Sequence, residues 1–260
     1  MSVISSADRG LHYGDGLFET ISCAHGRPRW LERHLDRLRS GCERLQIRMP
    51  DATQLRAQLA ALAAGEARCL LKLIVTRGVA TARGYRPSGE EIPTVLTQKF
   101  PWPGSAGTGS FAVDISSVTL GENPLLAGIK HLNRLEQVLA QQRMATGAVA
   151  ETLMLSTSGA VICGSMSNLF LCEESALITP GLESCGVAGV MRGLVIDAAQ
   201  ALHLPLRVAS VSRQQLQSAP AAFLTNVRLG VQPIALLAGR PLASDARCTR
   251  LLEWINAHAA

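Results

Sequence analysis

Lysine is scarce in this chain of 260 residues: Lys72, Lys99 and Lys130 are the only three, against 22 arginines. Chemistry that needs a primary amine therefore has three side chains to choose from. Long apolar runs are also missing, since no stretch approaches the roughly 18 residues that a membrane-spanning helix needs. The opening residues, MSVISSADRG, lack the basic and then apolar pattern of a secretion signal. From these absences we expect no membrane span and a cytoplasmic location.

Metal-ligand spacing and basic clusters are absent as well. The seven cysteines are scattered, without a CxxC pair or a histidine cluster, so we expect reduced thiols, no disulfide framework and no metal site. Aromatic residues make up 4%, and the net charge of +5 is spread along the chain. A nucleic-acid surface gathers basic residues and interleaves them with aromatics. We therefore expect no nucleic-acid partner, whereas a small anionic ligand suits the charge.

Local patterns predict an α+β fold in two domains. Leu31, Leu35 and Leu38 fall three or four residues apart, as in an amphipathic helix. The predicted helices cover residues 31–45, 131–145, 190–202 and a closing stretch from about 244. The predicted strands cover residues 69–76, 92–98, 111–119, 151–157, 160–163, 168–172, 176–180, 206–210, 221–226 and 231–237. The segment PWPGSAGTGS at 101–110 predicts a linker that separates a domain at 1–104 from a larger one at 105–260.

Among the three lysines, Lys130 has the most suggestive surroundings. It precedes an apolar pattern in which Leu132, Leu135, Val138 and Leu139 would line one face of a helix. A lysine held against such a face would have a lowered pKa, and its free amine could attack a carbonyl. Periodicity alone favours the simpler alternative, a lysine at a helix start that extends into water. The pattern leaves both interpretations open.

Two further segments suit an anion. Small residues in CGVAGVMRG, 185–193, open a predicted helix, and exposed N–H groups at a helix start bind phosphates well. Arg33 and Arg37 lie one helical turn apart and could share an anion. Ordinary turns and surface arginines explain each segment equally well when it is taken alone. A phosphate cradle, an arginine and a prepared amine are together what pyridoxal phosphate requires.

Several longer motifs identify a family. DRGLHYGDGLFETI, RHLDRL, VTRGVATARGY, LAGIKHLNRLEQVLA, SNLF and CGVAGVMR resemble the fold-type IV pyridoxal phosphate enzymes over nearly the whole chain. KHLNRLEQ is similar to the aminodeoxychorismate lyase branch, while GDGLFET is shared with branched-chain and D-amino acid aminotransferases. The resemblance implies two α+β domains with the cofactor in the cleft between them, and a homodimer. It also places the cofactor lysine in the C-terminal domain.

The resemblance implies a site residue by residue. Lys130 matches the family's Schiff-base lysine and Arg37 its phosphate-binding arginine. Val187 and Ala188 match helix-start amides that meet the phosphate, and Asn226 falls where the lyases place a cofactor-side asparagine.

The implied reaction is a β-elimination that turns 4-amino-4-deoxychorismate into 4-aminobenzoate and pyruvate, a step toward folate. The amine of Lys130 would take the proton from the amine-bearing carbon, and loss of the enolpyruvyl ether would follow. The substrate carries two carboxylates, so cationic partners are required, and Arg83 and Arg228 are the candidates.

Two departures from the family pattern qualify these expectations. Five residues ahead of Asn168 the family has a glutamate that keeps the pyridine nitrogen protonated, and this chain has Cys163. A neutral thiol does not hold that charge, so the ring should be a weaker electron sink, which disfavours transamination. A catalytically weak binding homologue is the remaining alternative. The family also has a β-hairpin before DRG, whereas only seven residues precede Asp8 in this sequence. We expect this difference to affect stability or dimer geometry rather than the chemistry.

Overall fold

The computed structural model describes residues 4–80, 83–103, 111–144 and 149–258. The linker predicted around residue 105 and the predicted helix end at Ala145 lie outside these ranges. The chain forms two compact units. The first contains the described residues up to Pro103 together with Ile129–Asn133, and the second contains the other described residues.

The first unit has an antiparallel sheet of four strands in the order β2-β1-β3-β4. Its strands are β1 (Gly16–Ala24), β2 (Arg27–Pro28), β3 (Arg68–Thr76) and β4 (Thr94–Pro101), and its helices are α1 (Arg9–Tyr13), α2 (Leu31–Leu45) and α3 (Ala52–Ala63). Helix α2 has the predicted bounds and packs on β1, with Leu35 and Leu38 buried. Strand β3 alternates between buried and half-buried residues, as a strand with one face in the core should.

The second unit has two five-stranded sheets, in the orders β10-β9-β8-β11-β12 and β14-β13-β5-β6-β7. The strands of its first half are β5 (Ala112–Ile115), β6 (Glu151–Leu155), β7 (Val161–Gly164), β8 (Asn168–Cys172) and β9 (Leu177–Pro180). Those of its second half are β10 (Leu206–Ala209), β11 (Ala221–Asn226), β12 (Gly230–Pro233), β13 (Leu236–Leu237) and β14 (Arg240–Pro241). The helices are α4 (Leu135–Gln142), α5 (Val190–Ala201), α6 (Arg213–Ser218) and α7 (Ala246–Ala257).

Strands β6 to β9 are buried along their whole length, and this burial includes the polar residues Glu151, Asn168 and Thr179. Phe170 of β8 stacks on Phe223 of β11 with ring centroids 4.8 Å apart. The buried strands and the stacked ring pair together support the turns at the strand ends. Within the described residues, no helix is long and apolar enough to cross a membrane.

The helix predicted around Lys130 differs from the observed one in its start and in the exposure of its apolar residues. The helix begins at Leu135 rather than at residue 131, because the backbone before it pairs with β1: the Phe18 N–H donates to the Lys130 carbonyl at 3.0 Å, and Leu132 donates to Gly16. Lys130, with the rest of Ile129–Asn133, groups with the first unit. The expected apolar face also fails, since Leu135, Val138 and Leu139 are exposed.

Candidate active site

Lys130 lies in an extended segment beside β1, half-buried, in contact with an aromatic ring. Its Nζ atom is 4.3 Å from the centroid of the Phe18 ring, and the Nζ atom of Lys72 is 5.2 Å from the same centroid. The ring displaces water from one side of the Lys130 amine while its face attracts the charged form. An aromatic ring on a strand, and not the face of a helix, thus shields the amine of Lys130 on one side.

A buried ionic cluster lies in the same unit. Glu19 on β1 is 1% exposed and accepts hydrogen bonds from Arg37 Nε at 2.8 Å, from Arg37 Nη2, and from His34 Nδ1 at 2.7 Å. Burial raises the pKa of Glu19, but the charge of Arg37 and these hydrogen bonds outweigh it and lower the pKa to about 2. The carboxylate is therefore ionised at neutral pH and fixes the plane of the Arg37 guanidinium.

His34 is fully buried between these charges. Burial lowers its pKa, and the charges of Arg37 and Lys130 lower it further, against the opposing effect of Glu19. The imidazole is thus neutral at pH 7, and its bond to the carboxylate makes Nδ1 the donor. The cluster holds Arg37 through its Nε and Nη2 atoms and so fixes the orientation of the guanidinium.

One of the two amides predicted to meet a phosphate, that of Ala188, has an acceptor within the protein. The backbone N–H of Ala188 donates to the Gly128 carbonyl at 2.9 Å, so it is already used within the protein. The first hydrogen bond inside α5 runs from Gly193 N–H to Gly189 O. The N–H groups of Val190, Met191 and Arg192 consequently have no acceptor within the helix. The anion-binding amides suggested by the geometry lie a few residues further along than the sequence motif placed them, and the predicted helix start at residue 190 was the signal that would have found them.

Cys163 is buried near the end of β7 and pairs with Met154 of β6. It belongs to an apolar cluster with Leu120, Ile162 and Cys185. Thiol and thioether groups pack well in such a setting, and the position offers no carboxylate.

Asn226 uses its side chain to hold two turns. Its Nδ2 donates to Met166 O at 3.1 Å, and its Oδ1 accepts from the backbone N–H groups of Arg228 and Leu229. Because these bonds occupy the carbonyl oxygen and one amide hydrogen, the residue orients the turns around it. Arg228 itself is half-buried in the second unit, and Arg83 is exposed in the first.

Two polar residues that the sequence did not single out are buried beside the α5 start. Asn168, the first residue of β8, contacts the segment that precedes the helix, and Glu151, the first residue of β6, accepts hydrogen bonds from the turn between β7 and β8. A buried polar residue at a strand end is itself a signal, because polar groups are rarely buried without a partner.

Comparisons with known proteins place these features in context. Residues 16–237 match the model of the family described as amino-transferase class IV. The chain is 35% identical to the aminodeoxychorismate lyase of Vibrio harveyi, covering 88% of this chain and 85% of that protein. It is 30% identical to a putative branched-chain-amino-acid aminotransferase of Methanocaldococcus jannaschii, covering 91% and 83%.

Among solved structures, the fold is similar to that of 4-amino-4-deoxychorismate lyase from Pseudomonas aeruginosa, with a TM-score of 0.92 and 39% identity over 99% of this chain and 96% of that one. The branched-chain aminotransferase of Escherichia coli has the same fold, at a TM-score of 0.85 and 20% identity over 100% and 90%. The predicted α+β fold of type IV is confirmed by these matches.

Proposed function

Because the chain belongs to the class IV amino-transferase family, we propose that it is a pyridoxal phosphate enzyme that converts 4-amino-4-deoxychorismate into 4-aminobenzoate and pyruvate. The observation that carries this proposal is the similarity to aminodeoxychorismate lyases from two organisms along nearly the whole chain. The aminotransferase relatives make transamination the competing activity. Cys163 disfavours it, because a thiol does not keep a pyridine nitrogen charged.

The residues present fit the cofactor at two of its three recognition points. Lys130 offers a half-buried amine for the aldehyde. Arg37, held by Glu19, and the first-turn amides of α5 offer donors for the phosphate. Val187 lies just before those amides and stays in the proposed cradle, while Asn226 orients the turn beyond β7. Cys163 is the third point, where it would lie against the ring nitrogen without charging it.

In this mechanism, the cofactor when bound supplies an electron sink for the carbon that carries the substrate amine. Lys130 would hold the cofactor aldehyde, and its amine would take the proton from the carbon that bears the substrate amine. The side chain of Phe18 shields the amine from water on one side. Arg83 and Arg228 bind the two substrate carboxylates. The bond to the enolpyruvyl oxygen then breaks, and formation of the aromatic ring of 4-aminobenzoate drives the reaction forward.

A homodimer and a cytoplasmic location complete the proposal. All seven cysteines are free and buried, which suits a reducing compartment. Leu135, Val138 and Leu139 expose an apolar strip on α4, which suits contact with a second copy. Light scattering on the purified protein measures the mass directly, and a monomer at micromolar concentration would remove the homodimer from the proposal.

Two lysine variants test the enzyme with a matched control. Lys130→Ala should abolish both the visible absorbance band of covalently bound cofactor and the release of pyruvate from aminodeoxychorismate. Lys72→Ala should retain both, although its amine approaches the same ring. Absence of the band from the wild type would contradict the proposal. Keto-acid production from amino acids without pyruvate release would favour an aminotransferase, and cofactor binding with neither product would favour a binding homologue.

A further inference from the structure

Asn168 bridges two backbone groups immediately before α5. Its Nδ2 donates to the Val187 carbonyl at 2.9 Å, and its Oδ1 accepts from the Gly189 N–H at 3.2 Å. The residue is 6% exposed, and losing the partner of a buried polar group is costly. One carboxamide therefore sets the path of three consecutive residues.

This bridge replaces a helix cap. Gly189 is the N-cap of α5 and has no side chain to accept an N–H of the first turn. Gly189 and Asn168 lie very close together, since a Cβ atom built on Gly189 would lie 2.2 Å from Asn168 Oδ1. Only glycine fits there. The direction of the first-turn amides consequently depends on Asn168, which reaches the helix start from a neighbouring strand.

Asn168 is itself held by the preceding residues 165–167, which form a turn around the buried carboxylate of Glu151. Glu151 is 2% exposed and accepts from the Ser167 hydroxyl at 3.0 Å and the Met166 N–H at 3.2 Å, and also from the Ser165 hydroxyl. Asn168 itself pairs with Thr225 of β11. Strand pairing on one side and the Glu151 turn on the other leave the carboxamide little freedom to move.

We propose that Asn168 is a positioning residue for the cofactor phosphate: by holding Val187 and Gly189 it aims the N–H groups of Val190 and Met191 at the phosphate oxygens. The inference rests on the proposed function, because it assumes that the phosphate binds at this helix start. Aligned N–H groups bind an anion well only when several converge on it. A loosened helix start therefore weakens binding of the phosphate and not of the pyridine ring.

The test uses two ligands that differ only in the phosphate. Dissociation constants of the apoprotein for pyridoxal phosphate and for pyridoxal are measured by calorimetry. Asn168→Ala should weaken pyridoxal phosphate by about tenfold or more, the effect of losing one aligned hydrogen bond, and should leave pyridoxal within about twofold.

Gly189→Ala breaks the same contact from the other side and should give the same selective loss, so it decides the question if Asn168→Ala does not fold. The control is Ser212→Ala, which removes a side-chain hydrogen bond at the start of a different helix of the same unit, where the Gln215 N–H donates to Ser212 Oγ at 3.1 Å. This control variant should not weaken the binding of pyridoxal phosphate more than the binding of pyridoxal.

Equal loss of both ligands in Asn168→Ala, loss of neither, or a phosphate-selective loss in Ser212→Ala would overturn the inference and leave the proposed function intact. A wild-type protein that does not bind pyridoxal phosphate at all would instead overturn the proposed function, and this inference with it. The two failures are therefore distinguishable in one set of titrations.

Discussion

Gly78→Ala should destabilise the first unit far more than the same change at Gly84. Both glycines have a positive φ, of 106° and 110°, which alanine adopts only with strain. They differ in their surroundings, because a Cβ on Gly78 would lie 2.0 Å from the Ile92 carbonyl oxygen, whereas a Cβ on Gly84 would meet nothing within 4 Å. Comparing the two variants therefore separates the cost of the steric collision from the cost of the strained φ angle.

The magnitudes follow from these two contributions. Strain costs on the order of 1–3 kcal/mol, and the reduced freedom of the unfolded chain offsets about 0.4–1 kcal/mol of that. Gly84→Ala should thus lose roughly 1 kcal/mol. At Gly78 the backbone at Ile92 must also move, which adds about 1–3 kcal/mol. The Gly78 carbonyl accepts the Arg9 N–H at 2.9 Å, so any shift also strains the α1 start.

Urea unfolding followed by far-UV circular dichroism measures both free energies of unfolding. We expect the midpoint for Gly78→Ala to lie well below that for Gly84→Ala, with similar slopes. Equal free energies for the two variants would refute the reasoning, because the collision would then contribute nothing.

Three other changes have expected outcomes. Glu19→Gln leaves Arg37 without its buried carboxylate and should lower the free energy of unfolding in urea by about 3 kcal/mol. The control Glu66→Gln, at an exposed ion pair, should change that free energy little. Equal losses in the two variants would contradict the prediction. Cys163→Glu should raise keto-acid production from amino acids, and no change would mean that the thiol does not face the ring. Burial raises the pKa of Glu91, but hydrogen bonds from the preceding backbone outweigh it and lower the pKa to about 2. Its stabilising effect is present above about pH 4.5 and is lost as the pH falls toward 2, so the stability difference between wild type and Glu91→Gln should shrink over that range, and a constant difference would refute the assignment.

Much of the fold could be predicted because its patterns are local. Helix α2 was placed correctly since its apolar spacing and its burial agree. Strand β1 was missed because Glu19 interrupts the alternation of Leu17 and Ile21. That carboxylate is buried only because residues of a different element neutralise it, which no local pattern reveals.

The site was predictable only in part, for a similar reason. The pattern around Lys130 predicted a helix from residue 131, but the backbone there pairs with β1, and this tertiary pairing overrides the helical spacing. The Ala188 amide was chosen by motif, yet its availability depends on Gly128, sixty residues earlier in the chain. The role of Asn168 likewise depends on a contact that spans 21 residues. Such contacts are properties of the folded chain.

The seven buried thiols give this protein a set of natural reporters. Cys23, Cys42 and Cys69 lie in the first unit, and Cys163, Cys172, Cys185 and Cys248 lie in the second. A maleimide reagent reaches a buried thiol only when the surrounding structure opens. Peptide mass analysis after timed labelling would therefore time the opening of each unit separately, in the unmodified chain and without any engineered probe.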